Sequence, residues 1–332
     1  MEDEKKIAVI GGGSWATALV KILCNNVSSV NWYMRNEAAV DHILKFRHNP
    51  KYLQSVEFDL NKINVSTDLQ ETIRISDIVI IATPSAFLVK LFEDFPNGLI
   101  EGKPVFSAVK GIIPEYNAIP ARFIHKTFGT PYDIIGIICG PCHAEEVALE
   151  RLSYLTIASQ EDEIAEEMAE LLSCRYIKTT VSDDLFGTEI SAVLKNVYSI
   201  ASGICSGLGY GDNFQSVLIS NAIQEIENLI DEMSPIHRDV KSSAYLGDLL
   251  VTAYSKFSRN RTFGFMIGKG YSVMTAQLEM DMIAEGYYAT KSVMEIASKF
   301  DVEMPIVEAV NNVLYEKISP VIEMRILSDR LS

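Results

Sequence analysis

The sequence predicts an α/β N-terminal domain with a mostly parallel sheet, followed by an all-α C-terminal domain. Three observations predict it. Through the first half, short apolar runs rich in β-branched residues alternate with segments of helical period, the pattern of a largely parallel sheet with helices on both faces. After about residue 182 the strand signals stop, and apolar residues recur at helical spacing to the end of the chain. The 332 residues, 48% hydrophobic and 22% charged, are ordinary globular composition with room for about two domains. The change of pattern near 182–188 sets the expected boundary: residues 1–186 for the α/β domain and 187–332 for the helical one.

In chain order the expected strands are 6–10, 29–34, 63–66, 77–83, 104–109, 134–139, 154–158 and 176–180. Helical segments fall between them at 14–24, 37–45, 84–92, 115–125 and 161–172. The second half reads as helices over 183–206, 213–233, 245–254, 263–267, 287–300 and 305–317. No internal repeat or low-complexity linker interrupts the series.

The first strand, Ile7-Ala8-Val9-Ile10, runs into a glycine-rich turn and then a helix carrying Trp15, Ala18, Leu19, Ile22 and Leu23. The turn reads Gly11-x-Gly13-x-x-Ala16, the alanine-tolerant form of the dinucleotide fingerprint. Gly11 allows the tight turn, Gly13 lets backbone approach a pyrophosphate, and Ala16 lets helix and strand pack closely. The diphosphate would sit on the helix N-terminus, where free N–H groups and the helix dipole favour negative charge. A glycine turn alone is also an ordinary structural turn; the strand before and the helix after it favour the cofactor reading. Strand two ends Tyr33-Met34-Arg35-Asn36, with no Asp or Glu where a ribose 2′-hydroxyl is usually met. Arg35 stands there instead, either a solvated loop residue or a partner for a 2′-phosphate. The cofactor expected on this ground is NADP(H), with NAD(H) the alternative.

The net charge of −15 lacks the basic footprint of a nucleic-acid binder. It also sets a problem, because anionic ligands would have to be held by a few local cations against a repulsive overall field. The five cysteines have no metal spacing, and no metal site is expected. Cys139 and Cys142 form a CxxC, read either as a redox pair or as small packing residues of a reducing compartment. The acidic start of the chain is unlike an export signal. No apolar run reaches the roughly 18 residues of a membrane span, so no span and a cytoplasmic location are expected.

Four segments place polar residues inside apolar patterns. Lys110 follows the end of the fifth strand, on the edge where open parallel sheets bind ligands; a surface lysine is the plain alternative. Cys139-Gly140-Pro141-Cys142-His143-Ala144-Glu145-Glu146 is another strand-to-helix turn, with Pro141 suited to a first helical position. Lys195 sits mid-helix among Val193, Leu194, Val197 and Ile200. Burial would lower its pKa and make it a proton donor or acceptor near neutral pH; snorkelling over apolar surface is the alternative. Asp248 and Thr252 share a helix face. Ser258 is a candidate cap for a helix opening with Arg259, Asn260 and Arg261, a ready phosphate site or an ordinary basic loop.

Together these segments resemble the NAD(P)-dependent glycerol-3-phosphate dehydrogenase family of the soluble bacterial type. The matching pieces, in order, are GGGSWATAL at 11–19, Lys110-Gly111, GPCHAEE at 140–146, Lys195-Asn196, GLGYGDN at 207–213, GDL at 247–249, SRNRTFG at 258–264 and Glu285-Gly286. They span almost the whole chain; the lysine-asparagine and serine-arginine-asparagine-arginine pieces are the specific ones. The resemblance implies a Rossmann-type domain, a helical substrate domain, and interconversion of dihydroxyacetone phosphate and sn-glycerol 3-phosphate, which would feed phospholipid synthesis. It implies Lys195 as catalytic acid/base with Asp248 orienting it. Lys110, Gly140 (through its backbone), Cys142, Ser258, Arg259 and Asn260 would surround the substrate. Gly11, Gly13, Ser14, Trp15, Arg35, Lys110, Ala144, Arg259, Ile283 and Glu285 would contact the cofactor. A helical second domain is also one that pairs with a second copy, so a homodimer is among the expected partners. Two positions depart from the family. Ala16 replaces a glycine, and Cys142 stands where a serine or threonine is common, offering a weaker hydrogen-bonding group. Two rival readings keep the same two-domain plan: a hydroxy-acid dehydrogenase, and an NADP(H) sensor without turnover.

Overall fold

The computed structural model describes residues 5–96, 98–280 and 284–332. The chain divides into two units: Met1–Val109 with Ala118–Leu185, and Lys110–Asn117 with Phe186–Ser332.

Unit one is built on eight strands: β1 (Ile7–Ile10), β2 (Val30–Tyr33), β3 (Ile63–Ser66), β4 (Ile78–Ile81), β5 (Val105–Ser107), β6 (Ile135–Cys139), β7 (Ser153–Ser159) and β8 (Ile177–Ser182). They form one sheet in the order β3-β2-β1-β4-β5-β6-β7-β8. Pairing is parallel from β3 through to β6, turns antiparallel at β6–β7, and is parallel again between β7 and β8. These are the eight strands of the sequence pattern, each within two residues of its expected ends. The strands β1 (IAVI) and β4 (IVII) are buried at every position, because helices cover both faces of a parallel sheet. The neighbours of β1 are β2 on one side and β4 on the other, so the strand order reverses there. That reversal opens a crevice at the carboxyl ends of β1 and β4, the place where such sheets bind ligands.

The helices of this unit are α1 (Ser14–Leu23), α2 (Glu37–Phe46), α3 (Leu69–Arg74), α4 (Leu88–Leu91), α5 (Pro120–Phe128), α6 (Ala144–Ala148) and α7 (Asp162–Leu172). The helix expected over 115–125 starts later, at Pro120, because proline suits the first helical turn and cannot donate within it. At six and five residues, α3 and α6 are too short to show a period, and the pattern passes over them.

Unit two is helical: α8 (Leu185–Leu208, which begins at the last residue of unit one), α9 (Asp212–Met233), α10 (Asp248–Tyr254), α11 (Arg259–Gly268), α12 (Val273–Glu279), α13 (Glu285–Lys299), α14 (Pro305–Leu314) and α15 (Pro320–Ser328). From residue 187 to 205 every position of α8 is buried, which makes it the central helix of the unit. A π-helical segment, Ser243–Gly247, leads into α10. The boundary at 186/187 had assigned residues 110–117 to the first domain, whereas they group with unit two. Their own sequence carries no helical period, so only contacts reveal the grouping. Among the described residues no helix is long and apolar enough to cross a membrane.

Candidate active site

The glycine turn between β1 and α1 is shaped by what cannot fit. Gly11 adopts φ 145°, and a Cβ there would lie 2.5 Å from the Ala82 carbonyl oxygen just beyond β4. Any side chain would therefore force the two strand ends apart. The Gly11 carbonyl accepts from Trp32 Nε1 at 2.7 Å, which fixes the turn from β2. Gly13 is the opposite case. It is the N-cap of α1, has no side-chain cap, and a Cβ on it would meet nothing within 4 Å. The first turn of α1 carries no acidic side chain, as a site for an anionic diphosphate requires. Ala16 is fully buried, so its methyl is part of the core and the departure from glycine is accommodated.

Two residues absent from the expected set brace this turn. Thr17 Oγ1 donates to the Gly13 carbonyl at 2.9 Å. Asn49, 1% exposed, donates to Thr17 Oγ1 at 2.9 Å and to the Gly12 carbonyl at 3.2 Å, while its own oxygen accepts from Lys51 N and Tyr52 N. Asn49 sits 32 residues from Thr17 in an irregular stretch, where no spacing signals it.

Of the other residues expected near a cofactor, Ser14 is buried and Trp15 half-buried in the first turn of α1. Arg35 is exposed and lies over the Phe87 ring at 6.0 Å from its centroid. At the end of β6, Gly140 has φ 105°, and a Cβ there would come within 3.1 Å of the Tyr154 carbonyl oxygen. Cys142 and Ala144 are buried in the same hydrophobic cluster as Ala16 and Leu19. None of the five cysteines is in a disulfide, and Cys139 Sγ instead donates to the Thr156 carbonyl at 3.5 Å.

In unit two the expected residues converge on α8. Lys195 and Asp248 are 4% and 1% exposed, and the Lys195 ammonium donates to Asp248 Oδ1. Lys110 Nζ stands 3.6 Å from Asp248 Oδ2, and no hydrogen-bond donor of the described residues reaches that oxygen. One carboxylate is therefore shared by two ammonium groups. Burial pulls the Lys195 ammonium down to about 7, Asp248 opposing the fall and Lys110 adding to it. Two lysines against one aspartate leave a local positive excess, which answers the problem posed by a chain of net charge −15.

An amide relay holds this centre. Asn196 Nδ2 donates to the Lys110 carbonyl at 2.6 Å, so the backbone carrying Lys110 is pinned to α8. Asn196 Oδ1 accepts from Asn260 Nδ2 at 2.8 Å, and Asn260 Oδ1 accepts from Gly286 N at 2.9 Å. That leaves Asn260 one N–H for a ligand. The sequence match contains Asn196 without giving it a role; its signal is a buried asparagine next to Lys195 in an otherwise apolar helix. The helices meet backbone to backbone. A Cβ on Gly264 would lie 2.1 Å from the Ile200 carbonyl oxygen, and one on Gly286 would lie 2.6 Å from that of Asn196. Only glycine permits this approach, which brings Asn260 against Asn196. Ser258 caps α11 by accepting from Arg261 N, as the sequence suggested, and Arg259 is half-buried at the first helical position. Glu285 opens α13, while Ile283 lies outside the described residues.

A perturbed pKa alone does not mark a site in this chain. Burial pushes the Glu225 carboxyl up to about 8, yet its Oε1 accepts from Ile306 N at 2.7 Å, where it closes the N-terminus of α14. Lys195 differs in having a second charged pair beside it.

Comparisons with known proteins identify the family. Residues 6–165 match the model of the NAD-dependent glycerol-3-phosphate dehydrogenase N-terminus and residues 184–324 that of the C-terminus. A glycerol-3-phosphate dehydrogenase [NAD(P)+] of Staphylococcus aureus is 34% identical over 315 residues, 95% of each chain. Its counterpart in Staphylococcus carnosus is 32% identical over 314 residues, 94% of each. The crystal structure of a glycerol-3-phosphate dehydrogenase from Coxiella burnetii superposes with a TM-score of 0.90 at 27% identity, covering 98% of both chains. With both halves matched in order, the chain belongs to the NAD-dependent glycerol-3-phosphate dehydrogenase family.

Proposed function

We propose that this chain is an NAD(P)-dependent oxidoreductase that interconverts dihydroxyacetone phosphate and sn-glycerol 3-phosphate, with Lys195 as the proton donor and acceptor. The observation that carries the reading is the buried Lys195–Asp248 pair with the half-buried Lys110 beside it, which gives Lys195 a pKa near neutral pH for proton transfer. A sensor without turnover needs no such group.

In this reading residues 1–186 form the cofactor domain and 187–332 the substrate domain, the segment 110–117 packing with the latter. The open N-terminus of α1 fits the diphosphate, and Gly11, Gly13, Ser14, Trp15, Arg35, Ala144, Lys110, Arg259 and Glu285 hold the dinucleotide, which when bound supplies or accepts the hydride. Arg35, exposed beside Phe87, favours a cofactor with a 2′-phosphate, so NADP(H) is preferred. Lys195 as ammonium gives its proton to the alkoxide that forms as the ketone is reduced; in the reverse direction the neutral amine takes it back. Asp248 keeps the ammonium aimed and partly offsets its burial. Arg259 and the remaining N–H of Asn260 hold the substrate phosphate, and that remote binding aligns the carbonyl. Gly140 and Cys142 complete the substrate contacts through backbone and side chain. The product would enter phospholipid synthesis in the cytoplasm, and the enzyme would work as a homodimer, which light scattering tests.

One absorbance assay tests the core of the proposal. NADPH and NADH oxidation are followed with dihydroxyacetone phosphate and, in parallel, with unphosphorylated dihydroxyacetone. Turnover is expected only with the phosphorylated ketone, and faster at low cofactor concentration with NADPH. Equal turnover of the two ketones would remove the phosphate clamp, and equal KM for the two cofactors would remove the role of Arg35.

A further inference from the structure

We infer that Ser199 is a positioning residue that ties the proton-transfer helix to the phosphate clamp through a single directed hydrogen-bond chain. Ser199 lies one turn after Lys195 on α8 and is fully buried. Its hydroxyl is 2.8 Å from the Thr252 carbonyl oxygen and 2.8 Å from Ser258 Oγ. A hydroxyl has one proton, and a carbonyl oxygen only accepts. Ser199 therefore donates to Thr252, and the proton between the two serines comes from Ser258. Ser258 Oγ in turn accepts from Arg261 N at 3.2 Å. The chain runs in one sense: Arg261 N–H to Ser258, Ser258 to Ser199, Ser199 to the Thr252 carbonyl.

Each member stands on an element that carries part of the site. Ser199 shares α8 with Lys195. The Thr252 carbonyl is in the last turn of α10, whose first residue is Asp248, and Thr252 Oγ1 donates back to the Asp248 carbonyl at 2.7 Å. Ser258 caps the helix that opens with Arg259 and Asn260. All three elements belong to unit two. The direction of the chain also limits Ser258. Its proton is committed to Ser199, so toward an anionic phosphate it has no hydrogen to give, and its contribution is to hold the start of α11 in place. The phosphate is then held by Arg259 and Asn260, and Ser199 sets where they stand relative to Lys195.

This inference rests on the clamp proposed above, and the experiment separates the two. Steady-state kinetics are measured for wild type, Ser199→Ala, Ser258→Ala, the double variant, Arg259→Ala and Ser202→Ala. Ser202 Oγ lies 2.9 Å from the neighbouring Ala253 carbonyl oxygen and 2.8 Å from Gln215 Oε1, on the same helix as Ser199 but outside the chain to Ser258, so it controls for loss of a buried hydroxyl from α8. Ser199→Ala is expected to raise KM for dihydroxyacetone phosphate by about 2- to 10-fold, the factor one hydrogen bond supports. Its kcat, pH profile and NADPH affinity should stay within about twofold, since it touches neither the proton donor nor the cofactor turn. The double variant should have the KM of Ser258→Ala alone, because the two residues act in series. Ser202→Ala should lower the melting temperature and leave KM unchanged. If Ser199→Ala leaves KM unchanged while Arg259→Ala raises it, or if the two serine effects multiply, the inference fails and the clamp stands. If Arg259→Ala also leaves KM unchanged, the clamp itself fails and the inference falls with it.

Discussion

At the end of β1 the chain keeps space open, and at the middle of α8 it packs space with charge. The turn at Gly11–Gly13 carries no side chains: one at Gly11 would collide with the Ala82 carbonyl and one at Gly12 with Met34, while a Cβ at Gly13 would meet nothing within 4 Å. The centre around Lys195 is built from charged and amide side chains, Lys195, Asp248, Asn196 and Asn260 all buried, joined to one another by hydrogen bonds. A ligand bound by dipoles and free N–H groups needs room and shape. A proton-transfer group needs a tuned pKa, which only burial and neighbouring charge provide. Substitutions in the two regions should therefore fail in different ways.

The largest expected effect belongs to the charged region. Lys195→Ala should lower kcat by roughly 10²- to 10⁴-fold, the usual worth of general acid catalysis, with NADPH affinity by fluorescence titration unchanged. A variant that keeps near-normal turnover would end the assignment of Lys195. The open region is tested by Gly13→Val. A Cβ there meets nothing within 4 Å, so the melting temperature should barely move. Cofactor affinity should nevertheless fall at least about tenfold, each tenfold being about 1.4 kcal/mol. If the variant binds NADPH normally, the empty face of Gly13 is not where the diphosphate lies.

The pH dependence separates the two regions further. Reduction of the ketone needs the ammonium form of Lys195, which is lost as pH rises through its pKa of about 7. Log kcat for reduction should therefore fall with unit slope above that pH. Oxidation of the alcohol needs the neutral amine and should rise through the same range and then level. In Asp248→Asn the carboxylate that opposes the lowering is gone, so both limbs should move to lower pH. Gly13 variants should leave the limbs in place. The smallest effect is at the edge of the open region. Arg35→Ala should raise KM for NADPH by about tenfold, the loss of one charge-assisted phosphate contact, and that for NADH by less than about twofold. Equal changes for both cofactors would make Arg35 a solvated loop residue.

Much of the fold could be read directly from the residues. The eight strands stand out because the strands of a covered parallel sheet are short, continuous apolar runs, such as IAVI and IVII, and such runs depend on neighbours in sequence. The Ser258 cap is equally local, a side chain meeting a backbone N–H three residues on. The helices α3, α6, α12 and α15 escaped; the first three have five to seven residues, two turns or fewer, too little for a period to show. Residues 110–117 pack with unit two, and nothing in their composition says which unit they join.

The site divides along the same line. The order of residue types determined that a glycine turn opens a helix after the first strand, that Lys195 sits in an apolar helix, and that a capped Ser-Arg-Asn helix follows Asp248. Each of these depends on spacing within a few residues, and local backbone physics is enough to specify it. Tertiary structure alone decided that Lys195 and Lys110 share the carboxylate of Asp248, across 53 and 138 residues, that Asn196 and Asn260 relay between four segments, and that Asn49 braces a turn 32 residues away. The physical reason is that a pKa and a hydrogen-bond direction belong to an environment. The environment of Lys195 exists only once α8, α10, α11 and α13 have closed around it.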